Sequence, residues 1–272
     1  MDMADQMAVR ICSAQITSIW EDPEKTLKKT EIFIRHAAGS GADLICFPEQ
    51  FATGWDPRSV RNVQEISGPI ISSLCDMAKD HAIGIMGSFR ERHDPLPKNT
   101  VVVIGSDGTI LETYAKMHLF SPGEEHEQFT PGNELGFFTV GSLRCGIAIC
   151  YDLRFPDLFR IYAQKGVQAV FVPAAWPRAR TRHWELFIQT RALENQMYVT
   201  GINTTGITPV DSYGGASMTA DPNGTIICRA SDAEQLIFCD LDPSAVDAAR
   251  KSLPVAKDRK DQVYERLSQK RS

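Results

Sequence analysis

The chain has 272 residues, 43% of them hydrophobic, enough for one large core or two modest ones. A formal net charge of −5 gives no footing for nucleic acid or an anionic membrane surface as a partner. No apolar run approaches the roughly 20 residues of a membrane helix, and Met1 to Met7 lacks the basic-then-apolar pattern of a signal peptide.

Strand and helix patterns alternate along the chain. Ala8 to Thr17 reads as a strand, Pro23 to Ala38 as a helix, and Asp43 to Phe47 as an apolar strand stopped by Pro48. Gly68 to His81 reads as a helix opened by Pro69, followed by the strand Ile83 to Phe89. Thr100 to Ile104 and Thr109 to Tyr114 make a hairpin about Asp107-Gly108. Leu143 to Cys150 is a strand, Asp157 to Gln164 a short helix, and Gln168 to Val172 a strand. Arg182 to Asn195 is a helix and Met197 to Asn203 a strand. A second hairpin turns at Asn223-Gly224, before the strand Gln235 to Leu241 and the helix Ser244 to Lys251. No solenoid repeat and no low-complexity linker interrupts this order, so it reads as one domain. The charge-rich end, with residues 253–272 set apart, reads as a solvated tail or as an arm packing on a partner subunit.

The cysteines number seven and are scattered, several inside apolar runs. An odd, dispersed set fits reduced thiols in the cytoplasm better than a disulfide framework. No cysteine or histidine cluster has zinc spacing. No phosphate loop follows a strand: Gly105-Ser106-Asp107-Gly108 is a turn, and Gly214-Gly215 lacks a following Lys-Ser/Thr.

Cys150 stands where an apolar strand gives way to Tyr151-Asp152-Leu153-Arg154, the place where open α/β sheets meet their ligands. A cysteine nucleophile needs a proton acceptor and a positive group near the oxyanion it creates. Glu49 follows one buried strand and Lys116 follows a hairpin strand, so the three could share one rim. Taken singly, each has an ordinary alternative, a buried inert thiol or a solvated strand cap.

The words Phe47-Pro48-Glu49, Lys116-Met117-His118-Leu119-Phe120 and Cys150-Tyr151-Asp152-Leu153-Arg154-Phe155-Pro156 occur in this order and spacing. Together they resemble the nitrilase superfamily of carbon–nitrogen hydrolases, and the resemblance spans nearly the whole chain. It implies an α/β fold, a four-layer α-β-β-α sandwich, in a dimer or larger homo-oligomer. It also implies that Glu49 is the general base, Lys116 the oxyanion stabiliser and Cys150 the nucleophile, with no metal and no cofactor. A second glutamate of the family, counted back from Pro131-Gly132, falls on Glu125, with Glu124 and Glu127 as competitors. The Tyr151 backbone N–H is a further oxyanion donor.

Arg154 can grip a substrate carboxylate bidentately; the alternative is a structural pair with Asp157. In the ω-amidase branch, the arginine of this motif is linked to the substrate carboxylate. Ala174-Ala175-Trp176-Pro177, His183-Trp184 and Arg191-Ala192-Leu193-Glu194-Asn195-Gln196 also look like that branch, which acts on 2-oxoglutaramate and 2-oxosuccinamate. Trp176 is a candidate pocket wall or an ordinary core residue, and Asn203 a candidate substrate contact. Two positions depart from the branch: Trp55 where Phe or Tyr is usual, and Thr204 where arginine tends to follow the asparagine. The expectation is a small-molecule amidase working through a thioester. The alternatives are an N-carbamoyl amino-acid hydrolase, a general aliphatic amidase, or a catalytically idle interaction protein. A Cys-His hydrolase using His118 or His183 is disfavoured, because neither histidine has an orienting partner visible in the sequence.

Overall fold

The computed structural model describes residues 8–269. The signal-peptide reading of Met1 to Met7 and the last three residues of the charged end lie outside that span. The chain runs β1 (Val9–Gln15), α1 (Pro23–Gly39), β2 (Leu44–Cys46), α2 (Pro69–His81), β3 (Gly84–Glu91), β4 (Lys98–Ile104) and β5 (Ile110–Ala115). The short α3 (Glu125–Gln128), β6 (Phe137–Val140), β7 (Leu143–Ile147), α4 (Pro156–Gln164), β8 (Ala169–Ala174), α5 (Thr181–Asn195) and β9 (Tyr198–Asn203) follow. It closes with β10 (Thr205–Ile207), β11 (Ser212–Gly214), β12 (Met218–Ala220), β13 (Ile226–Arg229), β14 (Gln235–Leu241), α6 (Pro243–Ser252), α7 (Val255–Asp258) and α8 (Asp261–Gln269).

Two six-stranded sheets carry the fold, in the orders β14-β1-β2-β3-β4-β5 and β13-β12-β9-β8-β7-β6. Each has a parallel centre, β1-β2-β3 in one and β7-β8-β9 in the other, with antiparallel strands outside it. Side chains alternate across each strand, and both faces are buried. On β2, Leu44 and Cys46 point to the other sheet while Ile45 points to the helices; on β4, Val101 and Val103 face inward and Val102 and Ile104 outward. Cys145, Ile147 and Phe171 answer from the second sheet. Outside the first sheet lie Ile34 of α1 and Leu74 of α2; outside the second lie Tyr162 of α4 and Trp184 of α5. The layers are α-β-β-α, as expected, and strands buried on both faces explain the continuous apolar runs of the sequence.

Close layer packing depends on glycine at Gly201, where a Cβ would come within 2.4 Å of the Trp184 ring. Proline opens α1, α2 and α4, whose first N–H groups have no helical acceptor. Two parts of the fold differ from the sequence reading. The strand expected to reach Cys150 ends at Ile147, and Cys150–Arg154 form a 3-10 turn. Strand β6 and the β10-β11 hairpin carry no clear periodicity and are visible only once paired. The C-terminal end is helical, and Asp261 at the start of α8 meets Gln164 of α4 (3.0 Å) and Arg160 (3.7 Å).

Candidate active site

Three strand ends and one loop deliver the charged groups. β2 runs into Phe47-Pro48-Glu49, β5 into Lys116, and β7 toward Cys150. Backbone pairing holds Lys116 in place: its N–H donates to the Asn99 carbonyl at 2.8 Å, and its carbonyl accepts from Gly132 N–H at 2.8 Å. Only glycine fits at 132, because a Cβ would stand 2.2 Å from the Ala115 carbonyl oxygen. Cys150 takes a left-handed φ of +44°, a strained conformation for a residue with a side chain. Gln50 and Glu124, next to the two glutamates, share that region at +48° and +63°.

Glu49, Lys116 and Glu125 are almost fully buried. Lys116 Nζ lies 2.8 Å from Glu49 Oε1 and 2.7 Å from Glu125 Oε2. Of the three neighbouring glutamates, Glu125 meets Lys116, while Glu124 faces Arg58 and Glu127 faces His126, both at the surface. Phe120 N–H donates to Glu125 at 2.7 Å, and Ala175 N–H to Glu49 at 3.0 Å. Burial raises the Glu49 pKa; Lys116 pulls it down and Glu125 pushes it further up. For Lys116 burial opposes the charge, but the carboxylates of Glu125 and Glu49 outweigh burial and hold the ammonium. Burial and the adjacent Glu49 charge push the Cys150 thiol well up, against the pull of Lys116. Cys150 thus sits beside Glu49, the carboxylate that also meets Lys116.

The cleft beside Cys150 is small, with a cavity volume of about 30 Å³. Trp55, Lys116, Tyr151, Arg154 and Trp176 stand on its wall, so Trp176 is both pocket wall and buried core. Arg154 does not pair with Asp157, which goes to Arg160 at 3.3 Å. Its guanidinium lies 4.9 Å from the Trp176 ring and 5.3 Å from Phe187, and meets His183 Nδ1 at 3.4 Å. Asn203, expected as a substrate contact, is not on the wall. Its side chain is spent inside the fold, accepting from Trp176 N–H at 2.7 Å and donating to the Gly215 and Trp176 carbonyls. It braces the Trp176 segment.

His118, read from sequence as lacking an orienting partner, has one in Asp152, 2.8 Å from Nδ1. Asp152 also accepts from Tyr114 O–H, His118 N–H and Ile149 N–H, clamping the Lys116 segment to the Cys150 turn. Sequence reasoning missed this clamp. It also missed Asn99, whose Nδ2 reaches Glu49 at 2.7 Å and Glu125 at 3.0 Å. A polar Asn opening an apolar strand was the one signal for it.

The family model of the carbon-nitrogen hydrolases matches residues 10–251, and the chain belongs to that family. It is a hydrolase acting on carbon–nitrogen bonds other than peptide bonds. It is 32% identical over 244 residues to the 2-oxoglutaramate amidase of Bacillus subtilis, covering 89% of this chain and 94% of that one. The human omega-amidase NIT2 is 32% identical over 261 residues, 92% of this chain and 94% of the relative. Among solved structures, XC1258 of Xanthomonas campestris superposes with a TM-score of 0.88 at 26% identity, covering 93% and 97% of the two chains. It is a CN-hydrolase superfamily protein with an arsenic adduct in its active site.

Proposed function

We propose that the protein is an ω-amidase. In this reading it hydrolyses the terminal carboxamide of a small carboxylate-bearing substrate to acid and ammonia through a Cys150 thioester. One observation carries it: Arg154, with no protein carboxylate as partner among the described residues, shares a cleft with Cys150 and Lys116. The likeness to the 2-oxoglutaramate amidase and to the omega-amidase NIT2 supports the same reading.

Glu49 removes the thiol proton as Sγ attacks the amide carbon. The negative charge that grows on the carbonyl oxygen meets the Lys116 ammonium and the Tyr151 N–H, donors that typically contribute a few kcal/mol each, about 3. The protonated Glu49 gives its proton to the nitrogen, the C–N bond breaks, and ammonia leaves. A water activated by Glu49 then attacks the thioester carbon, and the acid departs as the thiol recovers its proton. Glu125 and Asn99 keep Lys116 and Glu49 in register. The free cysteines fit a reducing compartment, the cytoplasm. An exposed apolar face on α8, with Tyr264 and Leu267, supports the C-terminal helices as an arm in a homodimer or larger assembly.

The test is ammonia release by purified protein, with Cys150→Ala alongside. The panel holds 2-oxoglutaramate, 2-oxosuccinamate, succinamate, glutamine, N-carbamoyl amino acids and an aliphatic amide. Turnover of the dicarboxylic ω-amides, reduced by at least about 1000-fold in Cys150→Ala, is expected. Preference for carbamoyl compounds would overturn the ω-amidase reading, and full activity of Cys150→Ala would overturn the chemistry.

A further inference from the structure

Arg180, a second arginine on the cleft wall, has no part in the chemistry above. Its backbone is held from two sides. Its N–H donates to the Pro177 carbonyl at 2.9 Å, and its carbonyl accepts the Trp176 indole N–H at 2.8 Å. Its guanidinium lies 5.5 Å from the centre of the Phe120 ring, which also lines the cleft. Arg178 and Arg160 face Asp232 and Asp157, but among the described residues neither Arg154 nor Arg180 has a carboxylate within 4.0 Å. Asp211, an acid on the wall, accepts the Ser212 N–H at 2.7 Å. Burial, and with it the charge of Arg180, lowers the Arg154 pKa. Two like charges facing one small, largely apolar space call for an anion rich in acceptors.

We propose that Arg180 binds the oxygen on the carbon next to the substrate carboxylate, so that Arg154 and Arg180 together select ω-amides of 2-oxo acids over those of amino acids. This rests on the ω-amidase reading and adds the residue that makes the distinction. A 2-oxo carboxylate offers three acceptor oxygens close together. The fork of Arg154 matches the two of the carboxylate, and Arg180 donates to the third. An amino-acid amide has an ammonium at that carbon, which supplies no acceptor and is repelled by the guanidinium.

The experiment compares 2-oxoglutaramate, glutaramate (the same chain without the oxo group) and glutamine on the wild type, Arg180→Gln and Arg180→Lys. Melting temperature and the rate of Cys150 alkylation report an intact fold and site. Arg180→Gln is expected to lose about 10- to 100-fold in kcat/KM on 2-oxoglutaramate, mostly through KM. Glutaramate should fall less than about 3-fold, the preference over glutamine should shrink, and Arg180→Lys should recover part of the loss. Equal losses on 2-oxoglutaramate and glutaramate, or none, would overturn the proposal while leaving the ω-amidase reading in place. So would a wild type that hydrolyses both at equal rates. A wild type silent on both amides would overturn that reading and the proposal with it.

Discussion

Glu49 is a carboxylate whose surroundings pull in opposite directions. Burial and the Glu125 charge favour its proton, and Lys116 opposes them. A base must be ionised to act, so a raised pKa places the acid limb of kcat/KM above the ordinary 4.5. Replacing Glu125 by Gln removes one of the upward pushes, so the limb should move to lower pH while Lys116 keeps one carboxylate partner. A pH profile of Glu125→Gln that moves upward, or stays in place, would show that Glu125 does not act on Glu49 through its charge. Glu49, Lys116 and Cys150 stood out as candidates in the sequence because each follows a strand inside a distinctive local word. Asn99 did not, since its role depends on reaching Glu49 across 50 residues of chain.

At the scale of elements, the site is a set of loops held by buried polar anchors. Arg90 on β3 is one: its guanidinium donates to Gln50 Oε1 (3.0 Å), the Gly54 carbonyl (2.9 Å), Glu21 Oε1 (2.8 Å) and the Arg61 carbonyl (2.9 Å). It ties the loop after β2, and with it the segment that carries Glu49, to the sheet. Arg90→Met leaves Glu21 and two carbonyls without their donor, a loss of about 3 to 5 kcal/mol. Urea denaturation should read that destabilisation, and kcat should fall at temperatures where the variant remains folded. A variant as stable as the wild type would mean that the loop holds without Arg90. Helix and strand positions in this region were readable from periodicity and proline punctuation. The exact end of β7 was not, because an apolar run looks the same whether it continues as strand or turns over at Cys150.

Across the whole molecule, two sheets with parallel centres pack face to face, and the site sits where β2, β5, β7 and β8 end. The C-terminal helices α7 and α8 bury no residue within the described chain. Removing residues 255–272 should therefore leave the melting temperature within about 2 °C of the wild type. If the helices form an intersubunit arm, the same truncation lowers the mass seen by sedimentation. An unchanged mass would assign them to solvent. The candidates for the chemistry were visible in the local sequence, because the words around Glu49, Lys116 and Cys150 are a few contiguous residues each. Their company was not. Asn99 between the glutamates, Asp152 across the Lys116 and Cys150 segments, and Arg180 on one cleft wall with Arg154 are joined only when the strands pair and the layers stack. Spatial neighbours far apart in sequence are set by tertiary packing, which no local pattern encodes.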